Sequence, residues 1–140
     1  MHTRITLASS RREELIDITA RVRAAVDASG VRQGLVALFA QGSTCALMIQ
    51  ENWDASVPAD VVSLLRQLVP RGGWLHDRVD GNADAHLKAG LVGASQSIPL
   101  IDGRMALGQW QNIFFCEFDG PRPGRTVICT VLPDRPALGD

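Results

Sequence analysis

Apolar positions along the chain recur at two periods, and the switches between them outline the elements. Residues 3–8 (TRITLA) alternate weakly, as a strand does. From there Leu15, Ile18, Val22, Ala25 and Val26 fall at helical spacing. Ser10 followed by Glu13 predicts a capping box ahead of that helix, and Gly30 predicts its end. The runs 33–40 (QGLVALFA) and 44–50 (TCALMIQ) are continuously apolar and short, so they read as two buried strands joined by a tight turn at Gly42 and Ser43. A second helix is expected from Ser56 and Pro58, with a broad apolar face of Val61, Val62, Leu64, Leu65, Leu68 and Val69, until Pro70 stops it. Beyond a long polar loop, SQSIPLI, a turn at Asp102 and Gly103, RMALG, NIFFCEF and RTVICTVL read as antiparallel strands linked by Gly/Pro turns.

This pattern predicts an α+β fold in one domain over residues 1–140: mainly antiparallel sheet with two to three helices and a strand-rich second half. The tail PDRPALGD is the segment expected to fray. So few helices cannot cover both faces of six or seven strands, and an uncovered apolar sheet face is normally buried against another subunit. Oligomerisation through sheet faces is therefore expected.

Composition narrows the partners. Apolar residues make up 46% and charged ones 21%, the balance of a globular chain, and the net charge of -1 carries no long run of one sign. No basic footprint for nucleic acid or anionic lipid follows from it. No apolar run approaches a membrane span and the first residues lack a leader pattern, so a cytoplasmic protein is expected, with a small molecule or its own copies as partners. Cys45, Cys116 and Cys129 sit in apolar strand-like runs and read as small buried hydrophobes.

Candidate chemistry lies where the periodicity breaks. In DGNADAHLKAGL, residues 80–91, Asn82 is a plausible N-cap for a short helix to about Gly90. On it Asp84 and Lys88 are four apart and able to pair, and His86 shares a face with Asn82. The loop before it is polar, Gly-rich and about 15 residues long, which in a compact domain points to function. MIQENWD brings Glu51, Asn52 and Asp54 out of a core strand toward a cleft. ALGQWQN sets Gln109 and Gln111 around Trp110, suited to a flat heteroaromatic ligand. In the QGSTC turn, Ser43 and Thr44 beside Gly42 offer donors to an anion. No serine-elbow, zinc-protease, CxxC, EF-hand or dinucleotide fingerprint occurs.

These segments, in this order, resemble the YjbQ-like family of secondary thiamine-phosphate synthase proteins, over essentially the whole chain. The resemblance rests on QGSTCALMIQENWD (41–54), DGNADAHLKAGLVG (80–93), LIDGRMALGQWQNIFFCEFDGP (100–121) and the terminal RTVICTVL. It implies a homotrimer with a polar cavity shared between subunits or adjoining an interface. It also implies a weak thiamine-phosphate synthase activity, a transferase side reaction joining a pyrimidine diphosphate to a thiazole phosphate with loss of pyrophosphate. The alternative is a non-catalytic trimer that binds a small metabolite or a metal.

Position by position, the resemblance matches Glu51 and Asn52 to the family's EN pair and His76 to its loop histidine. Asp84, His86 and Lys88 match its acid, histidine and lysine, Trp110 and Gln111 its GxWQ segment, and Glu117 its EF/EH position. On this basis His86, Glu51 and Asp84 are the expected catalytic residues. Ser43, Thr44, Asn52, Asn82, Lys88, Trp110 and Gln111 are expected to bind a phosphorylated substrate, with Arg104 a further phosphate candidate. A divalent cation, magnesium or zinc, is the candidate cofactor on His76, His86 and Glu51. Many members carry histidine where this chain has Gly42, so an acid, base or ligand at that place would be missing here.

Overall fold

The short apolar runs become eight strands. The computed structural model describes residues 1–135, and those strands form two antiparallel sheets. The chain runs β1 (His2–Leu7), β2 (Glu14–Asp17), α1 (Thr19–Ser29), β3 (Gly34–Ala40), β4 (Cys45–Gln50), α2 (Ser56–Leu68), a 3-10 helix (Leu75–Arg78), α3 (Ala83–Val92), β5 (Ser95–Ile101), β6 (Arg104–Met105), β7 (Asn112–Glu117) and β8 (Arg125–Pro133). The five-stranded sheet has the order β1-β8-β3-β5-β6 and the three-stranded sheet β2-β7-β4. The fold is α+β.

Two cores follow from strand alternation. The inner face of the larger sheet (Val36, Leu38, Val127, Cys129, Ile98) meets one face of the smaller sheet (Leu47, Ile113, Phe115), and α1 adds Val22 and Val26 to the same core. The other face of the smaller sheet (Ala46, Phe114, Cys116) is covered by α2 and α3 through Leu65, Ala85 and Ala89. Strand β7 is buried on both faces, which explains why NIFFCEF is apolar without alternation. The outer face of the larger sheet has no cover among the described residues. On it Leu35 stands beside Leu132 and Pro99, and Phe39 beside Ile128, with Phe39 52% and Leu132 50% exposed.

Four expectations need correction. The region read as the first helical turn is instead strand β2, paired with β7, so that Leu15 lies opposite Cys116. Ser10 caps no helix: its N–H and hydroxyl both donate to Glu14 Oε2, closing a turn, while α1 starts later with Asp17 Oδ1 accepting from the Thr19 N–H and hydroxyl. Strands β3 and β4 do not pair with one another; the Gly42 turn carries the chain from one sheet to the other. In α2 only Leu65 is buried, and Leu64 and Leu68 remain 54% and 59% exposed. Gly30 does end α1, at φ 68°. Of the tail expected to fray, Pro133 closes β8 and the Asp134 N–H donates to Gln33 O, and residues 136–140 lie outside the described residues. No described helix is long and apolar enough to cross a membrane.

Candidate functional site

Helix α3 sorts the polar residues of DGNADAHLKAGL onto different faces. Ala85 and Ala89 press against the smaller sheet, and the Gly93 O at its end accepts from the Leu47 N–H of β4 at 3.0 Å. That anchoring turns Asp84 and Lys88 inward. Asp84 is fully buried and takes a bidentate pair from Arg12, 3.0 Å to each oxygen, together with Lys88 Nζ at 3.0 Å. Lys88 also reaches Glu13 at 3.2 Å, and Glu13 in turn pairs with Arg66. Burial opposes ionisation of Asp84, but the hydrogen bonds and charges of Arg12 and Lys88 outweigh it and hold the carboxyl at about 2. Asp84 and Lys88 therefore clamp the β2 entry to α3 and present no free group to a substrate.

Two more residues expected at the site are absorbed by structure. Asn82 precedes α3, but its side chain makes no cap bond. The Ala83 N–H donates to Asp77 Oδ1 of the 3-10 helix, and Asn82 Nδ2 donates to Asp119 at 2.8 Å, leaving its Oδ1 buried without a partner. Thr44 points away from the turn, where its hydroxyl accepts from Arg125 Nη2 at 2.9 Å. Arg125 meets the fully buried Glu117 through Nε and Nη2, and Ser9 Oγ donates to the same carboxylate. The charge of Glu117 inside an apolar strand was the visible signal for such a partner; the sequence reading missed Arg125, Arg12 and Ser9.

Outward from α3, beside the exposed Leu87 and Leu91, stands His86. It lines an open hollow of about 380 Å³ with Ser43, Cys45 and the small residues Gly90 and Gly93. The His76 ring stands edge-on to it, centroids 4.9 Å apart at 88°, and His76 Nε2 lies 3.5 Å from Asp80. Among the described residues, the side chains of His86 and Ser43 make no hydrogen bond. Burial raises the Cys45 thiol despite the nearby Arg125, and its buried side chain forms part of the wall of the hollow.

Glu51, Asn52, Trp110 and Gln111 gather elsewhere. They follow β4 or precede β7 where Gln50 pairs with Asn112, whereas Cys45 at the other end of β4 adjoins the His86 hollow. At about 3.3 Å per strand residue, roughly 15–20 Å separate the two places within one chain. Here Asn52 Nδ2 donates to Asp17 at 2.7 Å, Gln111 Oε1 accepts from the Gly108 N–H, and Trp110 packs edge-on against Trp53 at 5.7 Å. Trp53 is 81% exposed. The expected metal set of His76, His86 and Glu51 is thus split by the length of a strand, and no three His, Cys, Asp or Glu among the described residues stand close enough to hold an ion. Within this chain the donors do not fit a metal.

The family model for the UPF0047 protein, YjbQ-like, matches residues 3–134. A UPF0047 protein of Methanothermobacter thermautotrophicus is 46% identical over 89% of this chain and 87% of its own length. The crystal structure of a YbjQ-like protein of unknown function from Sulfolobus solfataricus superposes with a TM-score of 0.93 at 32% identity, over 96% of this chain and 97% of that one. A YjbQ/UPF0047 family structure from Clostridium acetobutylicum does so at 0.89 and 40%, over 93% and 99%.

Proposed function

Since the chain belongs to the UPF0047, YjbQ-like family, we propose that it binds a small phosphorylated metabolite in the hollow beside His86, as a homotrimer. The observation that carries this is the pairing of an unengaged imidazole and an unengaged hydroxyl, His86 and Ser43, in a hollow otherwise walled by small residues and backed by His76. Imidazole N–H and hydroxyl donors at one spot suit phosphate oxygens, and the small residues leave room for the rest of the ligand. The uncovered outer face of the larger sheet, with Leu35, Phe39 and Leu132, supports assembly of copies through that face.

The thiamine-phosphate synthase reaction is a second reading, favoured by the aromatic pair at the far end of β4. In it the thiazole nitrogen donates its lone pair to the pyrimidine methylene carbon, and the carbon–oxygen bond to pyrophosphate breaks with the electron pair leaving on the diphosphate. Neutralising that leaving group is the main demand. His86 of one protomer would face the diphosphate, and Trp110 and Gln111 of a neighbour would seat the ring. Asp84 and Lys88, committed to Arg12 and Glu13, have no part in it.

Mass spectrometry of the native protein for co-purified phosphorylated metabolites, followed by calorimetry with what is found, tests the reading. His86→Ala is expected to abolish binding and leave the melting temperature close to that of the wild type, because the imidazole makes no hydrogen bond to give up. Undiminished binding by that variant would overturn the assignment.

A further inference from the structure

A larger recess adjoins the Gln50–Asn112 end of β4, sharing Gln111 with the cluster there. It is a groove of about 680 Å³ between α1, the β5–β6 hairpin and the turn leading into β7. It shares no lining residue with the His86 hollow. Its floor is apolar, made by Val26, Met105 and Leu107, which also pack on the main core. Its rim carries three guanidinium groups from three separate elements, Arg23 on α1, Arg32 after that helix and Arg104 on β6.

None of the three lies within ion-pair distance of a carboxylate among the described residues, whereas Arg12, Arg66, Arg122 and Arg125 all do. Arg32 is held in place: its Nη2 donates to the Asp102 carbonyl at 3.4 Å, and its Nη1 would lie 3.5 Å from a Cβ at Gly103. That is ordinary contact, so Gly103 is required by its φ of +79° in the hairpin turn and not by the guanidinium beside it. Two acids share the rim. Asp102 is turned toward Gln33, whose Nε2 donates to it at 2.7 Å, and Asp27 stands on α1 without an ion pair. Three cations against two anions leave the groove positive, and Gln109 and Asn112 add amide donors beside them.

We propose that this groove is a second binding site, for a phosphate monoester with a flat apolar body. The arginines take the phosphate, since guanidinium forks match its geometry, and the body rests on the half-buried Met105 and Leu107, with the core residue Val26 behind them. The proposal goes beyond the His86 reading and does not depend on it.

The test is calorimetric titration with phenyl phosphate and, separately, inorganic phosphate, using the wild type, Arg23→Ala, Arg104→Ala and His86→Ala. The expected results are tighter binding of phenyl phosphate than of inorganic phosphate, a loss of roughly tenfold or more in either arginine variant, and binding retained in His86→Ala. Both arginine side chains are exposed, so the variants should melt with the wild type and the comparison stays interpretable. Equal affinity for the two ligands, no binding by the wild type, or binding indifferent to both arginine variants would overturn the proposal. Loss in His86→Ala alone would assign the phosphate to the hollow and equally refute the groove.

Discussion

At the scale of single residues, the chain spends its buried charges on holding the smaller sheet and α3 together. Asp84 is the plainest case. Removing its charge leaves Arg12 and the fully buried Lys88 short of a partner, and breaking such a pair costs about 3–5 kcal/mol. Asp84→Asn should lose stability of that order in urea unfolding. The pH dependence carries a sign that can be checked. A carboxyl lowered from 3.8 to about 2 by its partners contributes about 2 kcal/mol that is fully present above roughly pH 5 and is lost as the pH falls through 4 toward 2. The wild type should therefore lose stability in acid over that interval, and Asp84→Asn should lack this part of the loss. A stability curve of equal steepness in both proteins would contradict it.

Gly42 supplies a second prediction. A Cβ there would sit 2.7 Å from Cys45 Sγ and 3.0 Å from Arg125 Nη1, so Gly42→Ala is expected to cost about 1–3 kcal/mol by overpacking. Removing the sulfur in Gly42→Ala/Cys45→Ala should give part of that back, since the two positions touch. Thermal melts of the single and double variants decide it.

At the scale of elements, burial separates positions that sequence pattern treats alike. Leu65 and Leu68 both belong to the apolar face expected for α2, yet only Leu65 reaches the core. Leu65→Ala is expected to destabilise by about 2–4 kcal/mol, and Leu68→Ser to stay within about 0.5 kcal/mol, in denaturant unfolding of the isolated protomer. The same contrast explains what was legible in the chain. Strands β1, β5, β7 and β8, the Gly30 stop and the Asp84–Lys88 pair rest on local spacing, and local spacing revealed them. The four residues of β2 were mistaken for helix because Leu15 and Ile18 fit a helical stripe, while the partner strand β7 that decides the matter lies about a hundred residues on in sequence. Likewise the turn at Gly42 looked like a hairpin, and only the global layering sends β3 and β4 to different sheets. At the candidate site, His86 stands out from its own motif alone. Arg125, Arg32 and the separation of Glu51 from His86 depend on contacts between distant segments, which spacing does not encode.

At the scale of the whole molecule, one sheet face is bare among the described residues and the other faces are covered. If copies assemble through that bare face, Phe39→Asp should convert the proposed trimer to monomers while leaving the circular dichroism spectrum intact, because the Phe39 side chain is half exposed and outside both cores. Light scattering coupled to size exclusion measures the mass directly. A variant that stays trimeric would place the contact elsewhere. The ten residues of α3 join these scales. One side of the helix is bolted to Arg12 and Glu13, and its opposite side aims an imidazole at the hollow. A substitution that slackens the bolts is expected to turn the imidazole, so the proposed ligand capture would be open to inhibition from the rear of this helix, without entry to the recess in front of it.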